Sequence, residues 1–273
     1  MLGALAACCA AGCQHGSSLL TPWHRAAARA DVRRGDDLLY HGHTDQAVRA
    51  YRHAIARDGR NAEAHARLGR IRLAEGDAHR AAEHFAGAVR SAPENAAYAL
   101  SLANARYEAA FTAMDRPAAI GAAARAYRHA ASLTPQNVAA FIGLAQCYEQ
   151  LGDLDAAVHV LAAAREVDEN EPTVYTRLGA IHSARRDYES SLKEYETAVR
   201  LDPDDPAAHV GCGTVSLALS EQHPDSEMYR QRAIAHLRRS LELDPEQPRV
   251  RAMLEGFAPP QLRAVSIAGE PDD

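Results

Sequence analysis

Small, large apolar and helix-stopping residues recur along this chain with a period of 34 positions. The clearest unit is residues 62–95, in which the recurring positions are Leu68, Gly69, Gly76, Ala81, Phe85, Ala88 and Pro93. Small side chains let two helices approach closely, a large one fills the space beside them, and proline cannot continue a helix. The pattern therefore predicts one pair of helices, A and B, in each unit.

The same frame extends over six consecutive units. The eighth position is small throughout and holds Gly35, Gly69, Ala103, Ala145, Gly179 and Gly213. The twentieth is also small and holds Ala47, Ala81, Ala123, Ala157, Ser191 and Ala233. The twenty-fourth is large and holds Tyr51, Phe85, Tyr127, Leu161, Tyr195 and Leu237. We expect the large residue to fill the gap to the next unit, because close-packed interiors leave few voids.

This spacing is similar to the tetratricopeptide repeat (TPR), a helix-turn-helix unit of about 34 residues. The consensus places Leu-Gly, a second Gly, Ala, an aromatic residue, Ala and Pro at seven set positions, and residues 62–95 match all seven. The resemblance implies an all-α fold, a right-handed α-solenoid of six TPR repeats with a C-terminal capping helix. It also implies a non-catalytic scaffold that binds protein segments along the concave surface formed by the A helices.

The frame predicts the organisation of the chain. Residues 1–13 are a signal peptide with a lipobox, and residues 14–27 are a flexible tether. The six repeats are residues 28–61, 62–95, 96–137, 138–171, 172–205 and 206–247. A cap at 248–255 and a disordered tail at 256–273 follow. Within the tether, Leu19, Leu20 and Trp23 either pack on the first helix as a cap, which we favour, or contact lipid or a partner. Two repeats carry eight extra residues each, around 112–120 and 221–227, which form loops between helices A and B or extend those helices.

The N-terminus is a short apolar stretch that ends in Ala10-Ala11-Gly12-Cys13. A signal-peptide apolar region needs about 7 to 15 residues. The run resembles a bacterial lipobox, in which the cysteine is lipidated, and this implies lipidation at Cys13. Gln14 then makes the outer membrane the expected destination. The alternative is a plain cleaved leader, or a leader with no targeting role.

Composition and charge narrow the possible functions. The net charge is -6, which argues against nucleic acid as a partner, because binding to a duplex depends on cations that neutralise phosphates. The 14 histidines show no pair at the i, i+4 spacing of a helical metal site, and no phosphate-binding glycine loop or placed nucleophile occurs. Cys147 and Cys212 fall at predicted core positions and act as small apolar residues. We therefore expect no metal, no cofactor and no enzymatic activity.

The remaining candidate site is the concave face that the resemblance implies. Its ligand-binding candidates are Arg33, Asp36, Arg67, Arg70, Asn104, Tyr107, Gln146, Glu149 and Arg177. The arginines suit a bidentate contact with a carboxylate, and the amides suit a peptide backbone. The alternative is a solvated face whose charges serve solubility.

The sequence therefore predicts a protein-protein interaction scaffold that binds peptide segments of protein partners. We expect it to be a cell-envelope lipoprotein facing the periplasm that assists assembly of an envelope complex and touches the membrane only through its lipid anchor. The combination of an anchor with six repeats resembles the type IV pilus pilotin family. The alternatives are a soluble cytoplasmic or secreted adaptor with a misannotated leader, and a glycan-binding accessory of a cell-wall enzyme.

Overall fold

The structure, a computed structural model, describes residues 22–222 and 226–257. These residues form thirteen α-helices and no strand. In chain order the helices are α1 Pro22–Tyr40, α2 Thr44–Arg57, α3 Ala62–Ala74, α4 Ala78–Ser91, α5 Ala96–Ala110, α6 Arg116–Leu133, α7 Val138–Leu151, α8 Leu154–Val167, α9 Pro172–Ala184, α10 Tyr188–Leu201, α11 Pro206–Ser220, α12 Ser226–Leu243 and α13 Pro248–Phe257. The chain divides into two compact units, Met1–Ala113 and Met114–Asp273.

Side chains that accept hydrogen bonds fix the starts of most helices. Nine helices begin after a residue whose side chain accepts a hydrogen bond from a backbone N–H of the first turn. These residues are Asn61, Asp77, Asn95, Asp115, Asn137, Asp153, Glu171, Asp187 and Asp205. Such a bond satisfies one of the four N–H groups that a helix leaves unpaired at its start. His43, at the start of α2, differs from these nine residues, because its side chain makes no capping bond.

The small residue at the eighth position receives the large side chain of the same repeat. A Cβ atom added at Gly69 would lie 2.9 Å from the ring of Phe85, and one at Gly35 would meet Tyr51. Tyr195 packs against Gly179 of its own repeat and also against Gly211 of the following one. The large residue was expected to fill the gap to the next repeat. Tyr195 does so, and its ring also fills the space within its own repeat.

Apolar residues of consecutive helices form the core of each unit. In the first unit one cluster joins α1, α2 and α3 through residues that include Val32, Tyr51 and Leu68. In the second unit Leu161 and Ile181 belong to a cluster that joins α7, α8 and α9. Burying such a side chain contributes roughly 1.5 to 3 kcal/mol to stability.

The two insertions mainly lengthen helices. Helices α6 and α12 have 18 residues each, against 14 in α2, α4, α8 and α10. Helices α5 and α11, which precede them, have 15 residues. In the first insertion a five-residue connection, 111–115, remains between the two helices. Of the two alternatives, helix extension accounts for most of the added residues.

The predicted tether is wrong over its last six residues, because α1 begins at Pro22 and not at residue 28. Proline has a fixed φ and suits the first turn of a helix. Trp23 is in this helix with 69% of its surface exposed, so it does not pack on the helix as a cap. The predicted lipobox with Cys13, residues 14–21 of the tether, and residues 258–273 of the tail all lie outside the described residues.

At the other end, α13 follows the sixth repeat at the position of the expected cap. Its Val250 is buried, with 4% of its surface exposed. Among the described residues, no helix combines the length and the apolar character that crossing a bilayer requires.

Candidate functional site

The nine candidate ligand-binding residues all lie on A helices. In the first unit, α1 carries Arg33 and Asp36, α3 carries Arg67 and Arg70, and α5 carries Asn104 and Tyr107. In the second unit, α7 carries Gln146 and Glu149, and α9 carries Arg177. Arg33, Arg70 and Asn104 are exposed, and the others are partly buried.

Asp36 and Arg67 form a bidentate ion pair between α1 and α3. The Nε of Arg67 donates to Oδ1 of Asp36 at 2.8 Å, and its Nη2 donates to Oδ2 at 3.1 Å. The hydroxyl of Tyr51, from α2, donates to the same Oδ1 at 2.7 Å. Glu63 lies one turn before Arg67 and accepts from its Nη2 at 3.4 Å. The guanidinium that was expected to bind a partner's carboxylate already binds one of its own chain.

The electrostatics of this cluster follow from its geometry. The hydrogen bonds that Arg67 donates to Asp36, partly offset by burial, raise the pKa of Arg67. Burial together with Asp36 raises the pKa of Tyr51. Both groups therefore keep their protons at every physiological pH. Because the bond is bidentate, it also fixes the orientation of the two side chains.

A second arginine–carboxylate pair joins α7 and α9 in the second unit, with a single guanidinium nitrogen between the two oxygens. Nη1 of Arg177 lies 3.2 Å and 3.1 Å from the two carboxylate oxygens of Glu149. Both side chains are partly buried, with 24% and 22% of their surface exposed. Two of the four candidate arginines are therefore paired within the chain, and the exposed Arg33 and Arg70 remain as the cations best placed to receive a ligand.

A cavity of about 500 Å³ lies beside the Asp36–Arg67 pair, between the C-terminal halves of α1 and α3. We call it the Arg67 groove, and it is lined by Asp36, Leu39, Tyr40, Thr44, Arg67, Arg70, Ile71, Ala74 and Glu75. Its wall is mostly apolar, and Tyr40 has 88% of its surface exposed. Arg70 and Glu75 place one charge of each sign at this wall. The volume suits one or two side chains of a bound segment.

The apolar wall was not predicted from the sequence, since the predicted site consists of charged and amide residues and one tyrosine. Leu39 and Tyr40 lie near the end of helix A of the first repeat, and the A helices form the implied concave face. Exposed apolar residues at those positions were the available signal. Tyr107, another candidate, does not line this groove, and it packs edge-on against Phe111 with ring centroids 5.2 Å apart.

A second polar cluster joins α11 and α12. Nδ1 of His209 lies 3.0 Å from Nδ1 of His236, and Nε2 of His209 lies 3.0 Å from the carbonyl oxygen of Pro203. Because a carbonyl only accepts, Nε2 of His209 carries its proton, and His236 donates to Nδ1 of His209. Burial, His209 and Arg232 lower the pKa of His236 to about 4. His236 is therefore neutral at neutral pH, and its hydrogen bond to His209 connects the two helices.

The two cysteines in the described part of the chain are buried. Cys147 and Cys212 are fully buried free thiols, as predicted, and burial raises the pKa of each to about 12. Among the described residues, no group of three or more His, Cys, Asp and Glu side chains could hold a metal ion.

Tetratricopeptide repeat family models match residues 32–96 and 67–116, 119–181 and 172–205. Together these ranges cover more than half of the 273 residues. The chain therefore belongs to the tetratricopeptide repeat proteins. Members of this family are generally non-catalytic, and the repeats support a role as a protein-protein interaction scaffold.

A curated relative is small glutamine-rich tetratricopeptide repeat-containing protein 2 of Mycosarcoma maydis, 31% identical over 101 residues. That match covers 37% of this chain and spans 28% of the length of the relative. The similarity therefore concerns a block of repeats and not the whole of that protein.

Solved structures share the fold. Pseudomonas aeruginosa PilF is 18% identical with a TM-score of 0.62, covering 85% of this chain and 98% of its own. TTC0263, a thermophilic TPR protein in Thermus thermophilus, is 21% identical with a TM-score of 0.51, covering 70% and 100%. YrrB, described as a TPR protein with an unusual peptide-binding site, is 16% identical with a TM-score of 0.52, covering 75% and 97%. The predicted all-α fold class is confirmed.

Proposed function

We propose that this protein is a scaffold that binds a peptide segment of a partner protein in the Arg67 groove. The observation that carries the proposal is a mostly apolar cavity of about 500 Å³ whose base is held by the Asp36–Arg67 ion pair. Clefts of this size with an apolar lining and a few fixed polar groups are the usual form of a binding site. The peptide-binding site described for YrrB, which has the same fold, supports the assignment by analogy.

In this proposal the parts of the groove have separate roles. An apolar side chain of the segment packs on Leu39, Ile71 and Ala74. The exposed Arg70 hydrogen-bonds to a carboxylate or a backbone carbonyl of the segment. Arg67 is already paired with Asp36, so it holds the two A helices together and shapes the groove.

Peptide binding is tested by selecting displayed random peptides on the full chain and measuring their affinities in solution. Leu39→Asp should weaken the selected peptides by at least about tenfold, because a buried apolar contact at the centre of an interface carries much of the binding energy. Arg90→Glu, an exposed change on α4, is the control and should leave affinity unchanged. Selection of no peptide, or of peptides that bind Leu39→Asp as well as the natural chain, would contradict the proposal.

The location that we propose is the bacterial cell envelope, with Cys13 as the lipidated residue of an outer-membrane lipoprotein facing the periplasm. The lipobox-like run before Cys13 supports this location. Metabolic labelling with palmitate should mark the natural chain and leave Cys13→Ser unmarked. Absence of label on the natural chain would reject the anchor without affecting the peptide-binding proposal.

A further inference from the structure

The first repeat carries the positive charge of the N-terminal half in an exposed and largely unpaired form. Residues 22–61 contain eight arginines and five aspartates, a net charge of +3, whereas the whole chain has a net charge of -6. On α1 itself four arginines stand against three aspartates, and all four, Arg25, Arg29, Arg33 and Arg34, are exposed. Within residues 22–222 and 226–257, none of the four makes a hydrogen bond or ion pair.

The acidic residues of α1 do not neutralise this row. Asp31 forms an ion pair with Arg57 of α2, with 2.9 Å between Oδ2 of Asp31 and Nε of Arg57. Asp36 is paired with Arg67. Asp37 is the exposed carboxylate that remains on the helix. Four arginines therefore face solvent against one aspartate over less than four turns of helix.

An aromatic side chain lies on the same exposed side of α1. Trp23, Ala26, Ala30 and Arg34 follow the 3, 4, 4 spacing of one helix face, and all four are exposed. Arg25, Arg29 and Arg33 follow one another at i, i+4, i+8 and form the adjoining stripe. Trp23 has 69% of its surface exposed. Tryptophan favours the boundary between water and lipid, where an amphipathic ring contacts acyl chains and headgroups together.

The cationic surface continues onto α2. A second cavity, of about 280 Å³, lies between α1 and α2. Its lining includes the donors Arg34, Arg49, His53 and Gln46, and also Asp31, whose charge is paired with Arg57. These side chains supply hydrogen-bond donors to an anionic headgroup oxygen. This cavity is distinct from the Arg67 groove, since it is lined by a different set of residues.

We propose that this surface, formed by Trp23, Arg25, Arg29, Arg33, Arg34 and Arg49, docks the protein on a bilayer that contains anionic lipids. The inference goes beyond the scaffold function and beyond a lipid anchor, because the folded repeat itself contacts the membrane. Charge complementarity favours an anionic bilayer, and the exposed tryptophan favours lipid over an acidic protein or nucleic acid. Residues 13–22 span at most about 30 Å when extended, so an acylated Cys13 would keep α1 close to the membrane.

The experiment uses the full chain with Cys13→Ser, so that no acyl group contributes. Trp23 is the only tryptophan of the chain, and its fluorescence therefore reports this surface alone. Its emission should shift to shorter wavelength with vesicles of phosphatidylcholine and phosphatidylglycerol, should not shift with phosphatidylcholine alone, and should revert in high salt. Vesicles that carry a brominated acyl chain should quench it.

Replacing Arg25, Arg29, Arg33 and Arg34 by Gln should weaken vesicle binding at least about a hundredfold, since each arginine near an anionic surface contributes about fivefold. The matched control replaces four exposed arginines elsewhere by Gln, namely Arg90, Arg125, Arg230 and Arg238. It should retain binding. No shift with anionic vesicles, or equal weakening by both sets of substitutions, would overturn the proposal. Binding of an acidic peptide in place of vesicles would assign the surface to a protein partner and overturn it too.

Discussion

Single glycines set how closely neighbouring helices of this protein pack. A methyl group at Gly211 or Gly179 would overlap the ring of Tyr195, which is only 8% exposed and has no room to move. Gly121 differs, since a Cβ atom there would approach only the end of the Arg125 side chain, at 3.8 Å. The same substitution should therefore have opposite effects at two glycines in helices of the same unit.

We expect Gly211→Ala to lower the free energy of unfolding by about 1–3 kcal/mol, because overpacking forces a buried ring to move. Gly121→Ala should raise it by about 0.5–1 kcal/mol, because alanine restricts the unfolded chain and favours helix. Urea denaturation of both variants measures the two values. Equal effects at the two positions would show that the close packing of Tyr195 does not govern stability.

Residue-scale predictions from the sequence were good for packing and incomplete for polar contacts. The positions of Gly69 and Phe85 in the frame predicted that both would be packing residues, and they touch. The frame also placed Asp36 and Arg67 on one face, but their bond depends on the distance between α1 and α3. That distance results from packing of several residues, so a pattern within one repeat does not reveal it.

At the scale of helices, α2 lacks the N-terminal capping bond that α4, α6, α8 and α10 have. Asp77, Asp115, Asp153 and Asp187 cap α4, α6, α8 and α10, whereas His43 stands before α2 without a capping bond. His43 has φ -87° and ψ 60°, close to the values of Asp77, φ -91° and ψ 74°. The backbone is therefore already suited to an aspartate.

His43→Asp should raise the free energy of unfolding by about 0.5–1.5 kcal/mol by supplying the missing cap. The reciprocal change, Asp77→His, should lower it by about the same amount. Thermal melts of the two variants and the natural chain give the comparison. If His43→Asp leaves the melting temperature unchanged, the first turn of α2 does not limit stability.

Helix pairs were predictable because each repeat marks its boundaries locally, through small residues, prolines and caps. The start of α1 at Pro22 was not predicted, because serine, threonine and proline before residue 23 are equally typical of a linker. The sequence also did not decide whether the insertions lengthen α6 and α12. Ala118 and Ala119 suit a helix, but Pro117 suits either a turn or the first turn of a helix.

At the scale of the whole molecule, the pair His209–His236 makes stability depend on pH. In the folded protein His236 has a pKa of about 4, against an ordinary value of 6.5. As the pH falls, the unfolded chain binds the proton first, so the stability that this group contributes is complete above about pH 6.5 and is lost toward pH 4.

We expect acidification from pH 7 to pH 5 to cost about 2 kcal/mol at this one histidine, because one pKa unit corresponds to about 1.4 kcal/mol. The measurement is the difference in unfolding free energy between the two pH values for the natural chain and for His236→Gln. The variant should lose less on acidification. An identical loss in both would mean that other groups govern the acid response.

The internal ion pair at the base of the Arg67 groove has a consequence for selectivity. Asp36 is held 2.8 Å from Arg67, so it competes with any incoming carboxylate at an effective concentration that a free ligand at micromolar levels does not reach. A ligand gains little by offering an acid to Arg67 and more by offering shape to Leu39, Tyr40 and Ile71. The groove should therefore discriminate among partners mainly by their apolar side chains, and Arg70 is the cation of its lining that remains for an acidic group.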